Sequence, residues 1–164
     1  MKIYGVAGYK NAGKTGLMER LVTDITTRGL RVSTIKHAHH SFDVDQKGRD
    51  SYRHRDAGAQ QVLLSSGQRW ALMTELRDAP EATLDTLLAQ LSPVDLVLIE
   101  GLKREPHPKI ETFRKEAGHD LMAPGDPSIR AVAADCDIPT PCPRFDLNDT
   151  VGIADFILAE THLS

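Results

Sequence analysis

The segment Gly8-Tyr9-Lys10-Asn11-Ala12-Gly13-Lys14-Thr15 matches G-x-x-x-x-G-K-[ST], the phosphate-binding P-loop. It constrains the fold more than any other stretch, because the motif works only between a strand and a helix. Both are present. Lys2-Ile3-Tyr4-Gly5-Val6-Ala7 reads as a short buried strand. Leu17, Leu21 and Ile25, with Met18 and Val22 beside them, mark one face of a helix running from about Lys14 to Arg28. A glycine-rich turn that carried Gly-Lys-Thr by chance would not need those neighbours. Gly8 and Gly13 let the backbone curl close to a phosphate chain, so successive N–H groups and the helix N-terminus face the anion. In such a loop Lys14 reaches the β- and γ-phosphates and the Thr15 hydroxyl holds Mg²⁺.

Gly29 stops that helix, and Leu30 to Lys36 reads as a second strand. Strand, helix and strand in this order form a βαβ unit, hence a parallel sheet. The next stretch, Lys36 to Ser51, carries His37, His39, His40, Asp43, Asp45 and Asp50 at the carboxyl end of a strand. Ligands sit at that edge of an open parallel sheet. Three readings are open: a metal site on the histidines and acids, a nucleotide site with Lys36 near phosphate and an Asp close to Mg²⁺, or a polar surface loop. The spacing fits no zinc signature.

A surface helix with little apolar face is expected from Arg49 to about Ala59, its arginines Arg49, Arg53 and Arg55 forming a solvated face. Gln61–Leu64 and Arg69–Leu76 suggest a hairpin. Leu84, Leu87, Leu88 and Leu91 suggest a helix over Asp78–Leu91, opened by Pro80. Asp95-Leu96-Val97-Leu98-Ile99-Glu100-Gly101 is an aliphatic strand buried on both faces with an acid at its tip. That is the Walker-B layout, which puts Glu100 near Mg²⁺. Lys109 to Arg114 alternates like a strand, Lys115 to Pro127 reads as a mobile polar loop, and Ile129 to Ala134 is another strand. Asp135 follows it, where an acid can accept from the N1 and N2 donors of guanine. After a proline-rich linker, Asp149 caps a last helix whose apolar face is Val151, Ala154, Ile157 and Leu158.

At 164 residues the chain is expected to form a single domain. A net charge of −3 and few aromatic residues argue against a nucleic-acid surface. The two cysteines read as reduced thiols. With no apolar run able to span a bilayer and no leader-like N-terminus, a soluble cytoplasmic protein with no membrane partner is expected.

Three blocks together resemble the MobB family, the molybdopterin-guanine dinucleotide biosynthesis adaptor proteins. They are the P-loop; Lys36-His37-Ala38-His39-His40 through Asp50-Ser51 and Ala57-Gly58-Ala59; and Ile99-Glu100-Gly101-Leu102-Lys103 with Pro108-Lys109-Ile110-Glu111. The P-loop alone is unspecific, whereas the histidine block combined with Glu-Gly-Leu-Lys and Pro-Lys-Ile-Glu is far more so. The resemblance implies an α/β fold, the three-layer sandwich of P-loop NTPases. Its central sheet would be mostly parallel, with helices on both faces and an added β-hairpin. It also implies GTP with Mg²⁺ as ligands and a homodimer with weak GTPase activity. The implied role is to assist a guanylyltransferase, MobA, that attaches GMP to molybdopterin. Residue by residue, it implies phosphate contacts at Asn11, Ala12, Gly13, Lys14 and Thr15; with them Gly16, Lys36 near phosphate and Asp135 near the base make up the candidate nucleotide contacts. Lys14 and Glu100 would be the catalytic pair. Metal contacts fall to Thr15 and Glu100, with Asp50, or failing it Asp45, as a further acid. The related dethiobiotin synthetase branch often carries a lysine five residues before Lys14; here that position is Tyr9, with Lys10 next to it. An ATP-dependent small-molecule kinase or ligase of that branch is the alternative function, and a histidine-based metal module the third.

Overall fold

The computed structural model describes residues 1–38 and 42–163. Contacts sort the chain into two compact units, Met1–His37 with Leu87–Ser164, and Ala38–Thr86.

The larger unit is built on six parallel strands: β1 (Lys2–Ala7), β2 (Val32–Lys36), β5 (Leu96–Glu100), β6 (Lys109–Phe113), β7 (Ile129–Ala134) and β8 (Arg144–Asp146). Their order is β2-β5-β1-β6-β7-β8, so the P-loop strand lies in the middle. All carboxyl ends therefore share one edge. The helix α1 (Lys14–Thr27) buries Leu17, Met18, Leu21 and Ile25, the stripe its periodicity predicts. It packs beside α4 (Thr150–Thr161) over Tyr4, Val6, Leu96, Leu98, Ile110, Ala131 and Ala133. The opposite face is covered at β7 by a 3₁₀ turn, Ala123–Gly125, over Val132 and Ala134.

Several expectations need correction. The strand β6 does not alternate between core and solvent: Lys109, Glu111 and Thr112 are all buried, because β1 and β7 flank it on both sides. Their polar atoms are paired within the fold. Lys109 Nζ donates to the Glu105 carbonyl at 2.6 Å and sits 3.6 Å from Asp126. Glu111 accepts from the backbone N–H groups of Met122 and Ala123 at 2.9 Å. Those bonds fasten the polar stretch after β6, which contains two 3₁₀ turns, Lys115–Ala117 and Ala123–Gly125. The proline-rich linker contains the edge strand β8, which begins directly after Pro143. In α4, Ile153 rather than Val151 faces the core; Val151 is exposed. The Asp149 cap is as expected, accepting from Gly152 N at 3.0 Å.

The smaller unit holds α2 (Asp50–Asp56) and the antiparallel hairpin β3 (Gln61–Ser65) and β4 (Trp70–Thr74). Its centre is Arg55, which is half-buried rather than solvated. Its guanidinium bonds Asp43 and Asp45 at 2.8 Å and Glu75 at 3.2 Å, and lies over the Tyr52 ring. The helix α3 (Leu84–Leu88) is much shorter than expected. The Thr83 hydroxyl accepts from Thr86 N at 3.2 Å and caps the helix, so the turn opens there and not at Pro80. Among the described residues, no helix is long and apolar enough to cross a membrane.

Candidate functional site

The carboxyl edge of the sheet gathers the P-loop at its centre and one chemical group at the tip of each neighbouring strand. Backbone geometry sets the loop. Gly8 has φ +149° and Gly13 φ +94°, and Asn11 itself adopts φ +65°. A Cβ on Gly8 would come within 2.4 Å of Thr112 Oγ1, so only glycine lets β6 pass so close. Thr112 Oγ1 in turn donates to the Ala7 carbonyl at 3.1 Å and pins the strand end where the loop begins.

Lys14 donates to the Tyr9 carbonyl at 2.7 Å across the loop. An ammonium has three protons, so two remain for phosphate oxygens. Burial, followed by the nearby charge of Lys103, holds its pKa below that of an ordinary lysine. Lys103 is lowered by burial too, and its Nζ lies 4.2 Å from the centroid of the Tyr9 ring. The same ring stacks on His119 at 4.3 Å. Tyr9, at the position where the synthetase branch carries lysine, thus anchors two loops against the P-loop.

On the β5 side, Thr15 Oγ1 donates to Glu100 Oε1 at 3.1 Å. The two residues are 85 positions apart in sequence, and the parallel pairing of β1 with β5 brings them together. Lys36, at the tip of β2, stands 3.7 Å from the same Glu100 oxygen, with its side chain mostly in solvent. His37 N donates to the Glu100 carbonyl at 2.9 Å. Gly101, at φ +99°, lies against His37, with only 3.2 Å available for a Cβ. Lys14, Thr15, Glu100 and Lys36 are therefore one cluster, as the sequence anticipates.

On the β6 side the site holds residues that carry no sequence signature. Gly13, Lys14, Thr15 and Gly16 line a cavity of about 400 Å³ with Arg20, Arg114 and Leu147. Arg20 lies on α1 and donates to the Leu147 carbonyl at 2.7 Å and to Thr150 Oγ1 at 2.9 Å. Asp135 follows β7, and its Oδ1 accepts from Lys115 N at 3.0 Å. Only its position after an apolar strand marks Asp135 in the sequence, and Arg114 closes a stretch read as a strand with nothing to mark it as a ligand group.

The remaining candidates lie in the smaller unit or outside the described residues. Asp50 opens α2 with its side chain exposed, 3.9 Å from Arg53. Asp45 is engaged by Arg55. His39 and His40 fall outside the described residues. Among the described residues, no group of His, Cys, Asp and Glu side chains gathers as a metal site. Cys136 and Cys142 are free thiols.

The chain matches the family described as MobB, molybdopterin guanine dinucleotide synthesis protein B, over residues 3–135. It is 43% identical over 157 residues to the molybdopterin-guanine dinucleotide biosynthesis adapter protein of Escherichia coli (strain K12), covering 93% of this chain and 89% of that protein. The adapter protein of Haemophilus influenzae is 41% identical over 157 residues, covering 94% and 86%. Among solved structures, a MobB homologue from Bacillus stearothermophilus aligns with a TM-score of 0.71 at 30% identity, over 100% of both chains. A further crystal structure of molybdopterin-guanine biosynthesis protein B gives a TM-score of 0.76 at 25% identity, over 96% and 99%. With its P-loop, its acid-tipped β5 and these matches along most of its length, the chain belongs to the MobB family.

Proposed function

We propose that this protein binds GTP with Mg²⁺ at the P-loop and works as a homodimeric adaptor beside a guanylyltransferase of the MobA type. Its relatives' role in molybdopterin-guanine dinucleotide biosynthesis comes to this chain with family membership. The observation that carries the nucleotide reading is the contact between Thr15 Oγ1 and Glu100 Oε1 at 3.1 Å, one residue from Lys14.

The donor set suits magnesium. A hydroxyl and a carboxylate are hard oxygen ligands, and Mg²⁺ is ordinarily held by one or two such protein groups together with substrate phosphates. Thr15 and Glu100 would hold it, and the ion would neutralise charge on the phosphates. The chain's own groups do the rest. Lys14 binds phosphate oxygens, the N–H groups at the start of α1 face the anion, and Lys36 offsets the charge of Glu100. Asp135 supports guanine as the base, since its second oxygen can accept from the N1 and N2 donors. Hydrolysis is slow in this reading, because among the described residues no side chain beside Lys14 and Glu100 is an obvious group for positioning water.

The dimer reading rests on the hairpin. Leu63, Trp70 and Leu72 share one face of β3 and β4 and are all exposed. A hairpin edge of this kind can pair with a second copy. Sedimentation of wild type and Leu63→Asp should show a dimer and a monomer respectively, and a wild-type monomer would remove this part of the proposal.

Titration calorimetry with GTP and ATP, each with Mg²⁺ and with EDTA, tests the site. Magnesium-dependent binding that prefers GTP is expected. A preference for ATP, with phosphate release stimulated by a small molecule, would replace the adaptor reading with the kinase or ligase alternative.

A further inference from the structure

Glu100 and Arg114 stand on opposite sides of the P-loop, because β1 lies between β5 and β6 in the sheet. With a phosphate chain in the loop, Glu100 and Thr15 would hold the Mg²⁺ that neutralises its terminal phosphates, so that end would lie toward β5. Its nucleoside end must then run toward β6, β7 and β8, and this is the side of the 400 Å³ cavity. Arg114 follows the last residue of β6, and its guanidinium rests on the loop. A Cβ built on Gly13 would lie 3.2 Å from Arg114 Nε and 3.6 Å from Nη2. The same point would be 3.1 Å from Leu147 Cδ2, so the glycine is what lets both side chains close over the loop.

The two arginines of this cavity differ in what they already bond. Arg20 is committed, its Nε and Nη2 spent on Thr150 and the Leu147 carbonyl. Arg114 has no hydrogen bond or ion pair for its guanidinium among the described residues. A planar fork of N–H donors, laid on an anion-binding loop without a protein anion of its own, matches two phosphate oxygens at once.

We propose that Arg114 is a nucleotide-binding residue that grips the α- and β-phosphates of the bound nucleotide from the nucleoside side, with Arg20 positioning Leu147 as the wall beside it. This rests on the nucleotide-binding reading above.

The test is calorimetric titration of wild type, Arg114→Ala and Arg114→Lys with GTP and with GDP, alongside thermal unfolding of each ligand-free protein. Arg114→Ala should weaken GTP and GDP by a similar factor, roughly 10- to 100-fold, the range of a lost charge-assisted pair. Arg114→Lys, which keeps the charge but not the fork, should recover part of it. Ligand-free melting should not move, since the side chain is exposed. GDP affinity within threefold of wild type in Arg114→Ala overturns the inference and leaves the nucleotide reading standing. A loss confined to GTP overturns the assignment to the α- and β-phosphates. A wild type that binds neither nucleotide overturns the nucleotide reading and this inference with it.

Discussion

The two flanks of the P-loop are built by the same device, a residue at the tip of a parallel strand, yet they differ in chemistry. Toward β5 the loop meets an acid: Glu100 accepts a hydrogen bond from the Thr15 hydroxyl at 3.1 Å and has Lys36 at 3.7 Å. Toward β6 it meets a cation, Arg114, over Gly13, with Asp135 one strand further on. An acid and a hydroxyl suit a divalent ion, and a free guanidinium suits bare phosphate. The contrast gives the site a polarity, hard oxygen donors at one end and a guanidinium at the other. A symmetric anion cradle would have no such direction.

Removing the centre should have the largest effect. Lys14→Ala takes away the ammonium that both flanks share, and GTP and GDP affinity should fall by ~100-fold or more with folding intact. Calorimetry with circular dichroism checks both; retained affinity would end the site assignment. Glu100→Gln attacks one flank only. Affinity for GTP with Mg²⁺ should fall by roughly 30-fold, while binding in EDTA stays near wild type. Equal losses with and without the ion would show that Glu100 shapes the loop and does not serve the metal.

The β5 flank, as a gathering of Thr15 and Glu100 beside the loop, was legible in the sequence because each part belongs to a motif with local context. Gly8 to Thr15 sits between an apolar strand and a helical stripe, and Glu100 follows four aliphatic residues. Such runs fix burial, and burial fixes the tip. The other flank depends on which strands become neighbours. Arg114 stands before a polar stretch, and nothing in its surroundings reveals that β6 will lie against β1. The errors elsewhere have related causes. Lys109 and Glu111 look like the solvent face of a strand, but neighbours in the sheet bury them, and their partners come from Glu105, Asp126, Met122 and Ala123. The edge strand β8 is three residues long, too short for periodicity to register. The leucine pattern near Leu84 was real, but the Thr83 cap starts the helix at Leu84 rather than near Pro80, and it ends at Leu88.

Asp135 offers a finer probe of the β6 flank. Its Oδ1 is held by Lys115 N, and in the proposed reading the other oxygen would accept from the base. Asp135→Asn keeps that backbone bond but presents an amide donor where guanine needs an acceptor. GTP should weaken by about tenfold, the cost of one mispaired polar contact, and XTP, whose C2 carbonyl accepts, should gain. Competition between the two nucleotides measures this directly. An unchanged GTP-to-XTP ratio would take the base away from Asp135.

The two flanks share one support, which gives the perturbation that should change their contrast least. The segment between β5 and β6 leaves the β5 flank at Gly101 and delivers β6, which Arg114 follows. On the way, Pro108 O accepts from Gly5 N at 2.8 Å, and His107 packs on β1 so closely that a Cβ on Gly5 would meet its Nε2 at 2.5 Å. His107 is buried, and among the described residues neither of its ring nitrogens has a hydrogen-bond partner. Burial, and then the charge of Lys109, lower its pKa to about 4. The unfolded chain, with an ordinary histidine near 6.5, therefore binds the proton first. Stability should fall as pH drops from about 6.5 towards 4, by ~2 kcal/mol at pH 5. His107→Gln should flatten that slope in urea unfolding measured between pH 7 and 5. Because His107 supports both flanks, GTP affinity with Mg²⁺ and in EDTA should decline together over this range, by less than about threefold while the protein remains folded. A decline confined to one of the two conditions would show that the flanks do not rest on a common floor.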